Sequence, residues 1–175
     1  SYSRQACAEP LKRTPDGGFQ QAEVTSCGLN GGPLDGIGEY EARIACNLWS
    51  KHGVARYDKR FNKKEHPYFT QSGRDGDPAA VQYIANMRDG SVCGFKYFQM
   101  RGAKAIRCAV SGVCRGNIEV SDTPEFSTLA ASIPVEAGKT MTNVTAPFHM
   151  ADGVKALYFR FRGEGAMNFF TFELS

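Results

Sequence analysis

Residues 154–174 constrain this chain more than any other stretch. Leu157, Phe159 and Phe161 alternate with Tyr158, Arg160 and Arg162, and after Gly163-Glu164-Gly165 a second run sets Asn168, Phe170, Phe172 and Leu174 on one side. Successive side chains of a strand face opposite sides, so a period of two describes two strands, each with one buried face, joined by a tight connection. Strands of this kind need an opposing apolar sheet, not a bundle of helices. An aromatic side chain buries about 150–250 Å², so the Phe residues of these runs can anchor a core.

The same signature recurs upstream. Across residues 39–49, Tyr40, Ala42, Ile44, Cys46 and Leu48 alternate with Glu41, Arg43, Ala45, Asn47 and Trp49, which predicts one strand. Residues 81–86 and 91–100 read as a hairpin closed at Asp89-Gly90. Further strands are expected at 103–110, 115–120, 127–135 and 141–150, each bounded by Gly, Pro, Asn or Asp. Between residues 50 and 78 the pattern fails, with charges interleaved among Tyr57, Phe61, Tyr68 and Phe69. Long irregular connections of this type often carry function. No amphipathic helix emerges, and strands about eight to twelve residues apart with turn signals between them predict an all-β chain, a β-sandwich or jelly roll.

Residues 1–35 read differently. Residues 3–8 and 20–26 can pair as a short β-hairpin around a turn at Asp16-Gly17, and the glycine-rich run 28–36 has the composition of a linker. The expected division is a segment at 1–35 followed by a sandwich at 36–175. Unpaired strand edges recruit partners, so the segment is expected to dock on the sandwich or to pair with another copy.

Composition narrows the function. With 21 Lys+Arg against 18 Asp+Glu the net charge is only +3, and the one basic run, Lys59-Arg60-Phe61-Asn62-Lys63-Lys64, reads as a solvated loop. That balance, with no recognition element, argues against nucleic acid. No run of about 18 apolar residues is present, which excludes an ordinary helical membrane span. The chain opens at Ser1 with no leader pattern, as a processed product or an excised fragment would. Six cysteines allow three disulfides, but there is no Cys-x-x-Cys, and the three histidines miss zinc-finger spacing. Cys46 and Cys108 fall in line with apolar neighbours, as reduced, buried thiols do.

Catalytic signatures are missing. Glycoside hydrolysis needs two carboxyl groups flanking the scissile bond; Asp75 with Asp77, and Glu39 with Glu41, have spacings that suit turn and surface roles instead. No nucleophile motif surrounds a Ser or Cys, and the run 28–36 does not open a helix that could cradle phosphate. No catalytic residue is assigned.

Tyr83-Ile84-Ala85-Asn86, the strand Gly94-Phe95-Lys96-Tyr97-Phe98, and the closing runs Leu157-Tyr158-Phe159-Arg160-Phe161 and Asn168-Phe169-Phe170-Thr171-Phe172 carry a resemblance. Over residues 39–174 the chain resembles a family 6 carbohydrate-binding module, a galactose-binding-like β-sandwich, of the kind fused to the C-terminus of family 43 glycoside hydrolases. Residues 1–35, with Glu23-Val24-Thr25-Ser26-Cys27-Gly28-Leu29-Asn30-Gly31-Gly32-Pro33-Leu34, look like the end of such a catalytic propeller and its exit. The resemblance implies a non-catalytic sugar-binding module whose parent is a xylan- or arabinan-active hydrolase of the β-xylosidase or α-L-arabinofuranosidase type. Its implied partners are plant cell-wall polysaccharide and the neighbouring catalytic domain. The alternative is a structural domain that docks on and stabilises that catalytic domain without binding sugar. The compartment, cytoplasmic or secreted, is left open.

By the same resemblance, Tyr83 matches the first of two aromatics that grip a sugar, with Asn86 in the same motif. Ala166 stands at the usual Asn position and Thr140 where the second aromatic would be. Trp49 and Tyr68 offer a relocated platform, or else they pin the long loop to the sheet or to a neighbouring domain. No cofactor is required; the calcium usual in the family would draw on Asn168 and on the first-strand position, Glu41 or Cys46 depending on register, with Asn168 supplying an amide oxygen and no charge.

Overall fold

The computed structural model describes residues 7–55, 64–74 and 76–175. Tyr57, Phe61, Asp75, residues 59–63 of the basic run and residues 3–6 of the expected first strand lie outside the described residues. In chain order the strands are β1 (Leu34–Asp35), β2 (Gly38–Glu41), β3 (Asn47–Trp49), β4 (Tyr68–Gln71), β5 (Gln82–Met87), β6 (Val92–Met100), β7 (Ala105–Ser111), β8 (Cys114–Ser121), β9 (Ala131–Ala137), β10 (Thr142–Pro147), β11 (Gly153–Gly165) and β12 (Met167–Leu174). They form two sheets. The first runs β1-β6-β11-β8-β9 with β3 also on β6, and the second runs β10-β7-β12-β5-β4 with β2 also on β12. Their apolar faces meet in the β-sandwich that the alternation predicts.

The core between them is aromatic. Phe95 and Phe98 of β6, Phe159 and Phe161 of β11, and Phe169 and Phe172 of β12 are fully buried. Phe159 meets Phe95 edge-on at 5.4 Å and Phe172 at 4.9 Å, so rings from the two sheets interlock. Cys93 and Cys108 fill core positions as free thiols, and burial pushes both well above the usual thiol range. They act as small hydrophobes.

Several elements depart from what the alternation predicts. Residues 39–49 do not form one strand: a 3-10 turn at Ala42–Ile44 breaks them, so that β2 pairs with β12 in one sheet and β3 with β6 in the other. Tyr40, Ala42, Ile44 and Leu48 all pack on the core, because the apolar side keeps facing inward while the chain changes sheets. β5 and β6 are not a hairpin either, since Asp89-Gly90 carries the chain from the second sheet to the first. β11 and β12 likewise lie in opposite sheets. β4 lies in the stretch expected to be irregular.

The predicted face of the last strand also changes. The β12 register slips between Phe169 and Thr171, an extra residue that forms a β-bulge. Phe169 and Phe172 therefore turn inward, and Phe170 turns out.

The turn at Asp16-Gly17 is present, held by the bridge between Arg13 and Phe19 and by Gln20 N donating to Lys12 O at 2.9 Å. From there the chain lies against β6. A second bulge, at Lys96–Tyr97 opposite Ala156, lets both residues reach it. Lys96 Nζ meets Glu23 at 2.8 Å, the Tyr97 hydroxyl donates to the same carboxylate, and Lys96 N donates to Ser26 Oγ at 3.2 Å. β1 then pairs in parallel with β6, Leu34 opposite Phe98.

Candidate functional site

The outward side of the second sheet carries a pair of rings. β4 pairs with β5 so that Phe69 opposite Ile84 faces the core, while Thr70 opposite Tyr83 and Tyr68 opposite Ala85 face away from it. The bulge in β12 brings Phe170 beside Tyr83, with ring centroids 4.6 Å apart and planes within 27°. Both are half-buried, as is Tyr68 on the neighbouring strand. The two rings stack and so cover each other on one side; the half-exposed remainder of the pair is an apolar shelf on which the C–H groups of a sugar can pack while its hydroxyls stay in water.

Asn86 lies further along β5, where that strand bulges against β12, and its φ of 60° is left-handed. Its Nδ2 donates to the carbonyl of His66 at 3.0 Å, its Oδ1 accepts from Arg88 Nε at 2.9 Å, and its backbone N donates to Asn168 Oδ1 at 3.3 Å. The side chain ties β5 to the start of β4 and fixes Arg88. Tyr83, Asn86 and Tyr68 are thus brought to one region of the second sheet.

Trp49 is not among them. It belongs to the first sheet, where its ring lies 6.2 Å from that of Tyr158, in a cluster with Val92 and Phe126. Tyr158 fits because Gly94 lies beneath it: a Cβ there would stand 2.6 Å from the ring. Arg160 covers Phe126 at 4.1 Å and pairs with Glu119. This cluster is a packed one, not a shelf.

The residues matched to the calcium site do not fit one. Calcium takes six to eight oxygens, normally with carboxylates. Glu41 is opposite Thr171, about 10 Å along β12 from Asn168 at 3.3 Å per residue. Its carboxylate pairs with Arg43, while the Asn168 amide accepts from Asn86 and donates to Ser111 Oγ. Among the described residues no group of three or more His, Cys, Asp or Glu gathers to hold an ion.

Phe170 was missed by the strict alternation. The doublet Phe169-Phe170 followed by Phe172 contains the signal, because three rings so spaced cannot all keep one face of a regular strand.

A Clostridium cellulolyticum family 6 carbohydrate-binding module, solved with xylose, superposes over 81% of this chain and 99% of its own, with a TM-score of 0.60 and 16% identity. The fold is that of a family 6 carbohydrate-binding module. A Bacillus subtilis family 43 arabinoxylan arabinofuranohydrolase, solved with cellotetraose, matches 94% of this chain and 32% of its own, with a TM-score of 0.65 and 19% identity. In sequence, a xylosidase/arabinosidase of Thermoclostridium stercorarium is 42% identical over 99% of this chain. The chain spans 37% of the length of that relative. No family model matches the sequence.

Proposed function

We propose that this chain is a non-catalytic sugar-binding module of a plant-polysaccharide hydrolase of the xylosidase/arabinosidase type, and that Tyr83 and Phe170 form its sugar platform. The observation that carries this is the stacked, half-exposed ring pair on the second sheet. Tyr68 extends the shelf on β4. The 42% identity to a xylosidase/arabinosidase supports a xylan-type ligand, as does the xylose-bound module of the same fold.

Calorimetric titration with xylo- and arabino-oligosaccharides tests it. Tyr83→Ala or Phe170→Ala is expected to weaken binding at least about tenfold, or about 1.4 kcal/mol, and to cost about 2 kcal/mol of stability as for any half-buried ring, with the chain still folded at the temperature of the titration. No binding at millimolar ligand by the unaltered chain, or full binding by both variants, overturns the platform.

A second role rests on a different observation. Leu11, Phe19, Val24 and Leu29 are all exposed, and all lie in the segment before β1. The hydrolase match takes in 94% of the chain, against 81% for the isolated module. Both features support residues 1–35 as a seat for the neighbouring catalytic domain. Adding that domain as a separate polypeptide is expected to give a complex that Phe19→Ser with Leu29→Ser dissolves; a complex indifferent to both changes rules the seat out.

A further inference from the structure

Where β5 leaves the second sheet, an open cavity of about 390 Å³ is lined by Lys51, His52, Lys64, Glu65, Arg88 and Asp89, with two glycines beside them. Its composition is unlike that of the platform. Among the described residues that line it there is no Phe, Tyr or Trp, and Lys51, Lys64 and Arg88 bring three positive charges against the carboxylates of Glu65 and Asp89. One of those carboxylates is already committed: Asp89 Oδ1 accepts from Gly163 N at 3.2 Å and pairs with Arg162 at 3.6 Å.

Arg88 is exposed but held in place. Its Nε donates to Asn86 Oδ1, and the Asn86 amide is itself anchored on the His66 carbonyl. With that edge fixed, the terminal nitrogens of the guanidinium still offer the paired N–H fork that matches the two oxygens of a carboxylate. A pre-positioned fork loses less side-chain freedom on binding than a loose one. A neutral pentose offers only hydroxyls to such a site and gains little from its charge. Arg88 follows directly on β5, five residues beyond Tyr83, so the two stand at most roughly 17 Å apart at 3.3 Å per residue, within the reach of a short oligosaccharide.

We propose that this cavity receives the carboxylate of a uronic-acid substituent on a xylan-type glycan whose neutral backbone lies on the Tyr83–Phe170 platform. The assignment rests on the platform reading for the backbone and on the cavity alone for the acid. Arg88 takes the carboxylate, Lys51 and Lys64 add to the field, and Asn86 is a positioning residue acting through Arg88. The module thereby prefers acid-decorated chains.

The test compares xylotriose, xylotriose carrying one glucuronic acid, and free glucuronate, titrated into the whole chain at low and high sodium chloride. The acid-bearing trisaccharide is expected to bind about tenfold more tightly than the neutral one near 0.05 M salt, with the margin shrinking severalfold near 0.5 M as screening shortens the reach of the charges. Lys51→Gln and Arg88→Gln should each cut the margin and spare the affinity for neutral xylotriose, and Lys51→Gln serves if loss of Arg88 disturbs folding. Tyr83→Ala should weaken both trisaccharides and preserve their ratio. Equal affinity for the two trisaccharides overturns the acid site and leaves the platform standing, as does a margin that survives both substitutions. Binding of the acid-bearing glycan and glucuronate alone, abolished by Lys51→Gln, upholds the cavity and removes the platform.

Discussion

The outer faces of the two sheets both carry aromatic rings, yet only one resembles a binding surface. On the first sheet, Tyr158 and Phe126 are buried, Trp49 is tilted against Tyr158, and Arg160 lies over Phe126. On the second, Tyr83 and Phe170 stack and remain half-exposed. Their aromatic content is alike and their accessibility is not. A ring sealed by its neighbours contributes packing alone, whereas a stacked pair that stays half-exposed still offers apolar surface to a ligand.

The largest expected effect strikes both faces together. Phe159 interlocks with rings of each sheet, so Phe159→Ala should cost roughly 3–5 kcal/mol through lost burial and a residual cavity; chemical denaturation measures it, and a loss below about 1 kcal/mol would contradict its central place in the core. Next, Trp49→Ala sharpens the contrast. For a half-buried ring about 2 kcal/mol of stability should go, while oligosaccharide affinity stays within twofold. A drop in affinity matching that of Tyr83→Ala would make the first sheet a second platform.

Arg160→Ala should cost about 1 kcal/mol, the sum of a cation–π contact and a part-exposed ion pair. Exposing Phe126 in this way is expected to leave sugar binding unchanged by titration. The smallest effect concerns pH. Lys96 donates to Glu23 and holds its carboxyl below the usual carboxylate range. A depressed pKa contributes stability above the unfolded value, near 4.3, and that contribution is lost as pH falls through the folded one. For so exposed a pair it is worth under about 1 kcal/mol. The amide resonances of Ser26 and Cys27 should therefore shift on acidification below about pH 4, while those of β11 hold still.

Much of the sandwich was legible because the inward residues of β11, Leu157, Phe159 and Phe161, obey a strict period of two. What the period does not encode is which sheet a strand joins. Residues 39–49 keep their apolar side inward through a 3-10 turn, so their pattern looks like one strand while their hydrogen bonds divide between two sheets. Asp89-Gly90 has the residues of a hairpin turn but spans the layers instead. Of the candidate site, Tyr83 and Asn86 were singled out on an expected strand and Tyr68 in a stretch expected to be irregular, and their proximity follows from β4 pairing with β5. Phe170 and Arg88 were hidden for separate reasons. A bulge reverses the face of Phe170, and Arg88 owes its setting to Asn86, a contact that no periodicity reports.

The parallel pairing of β1 with β6 has a mechanical meaning. Leu34 and Asp35 run alongside Phe98 and Gln99, and upstream Ser26 is fastened to Lys96 on the same strand. A pull transmitted through the chain ahead of this segment acts along β6, so these bonds are loaded side by side in shear and must give way together. A hairpin pulled from its open end would instead unzip one bond at a time. Force applied through the chain ahead of β1 would therefore be resisted at the point where it enters the sandwich.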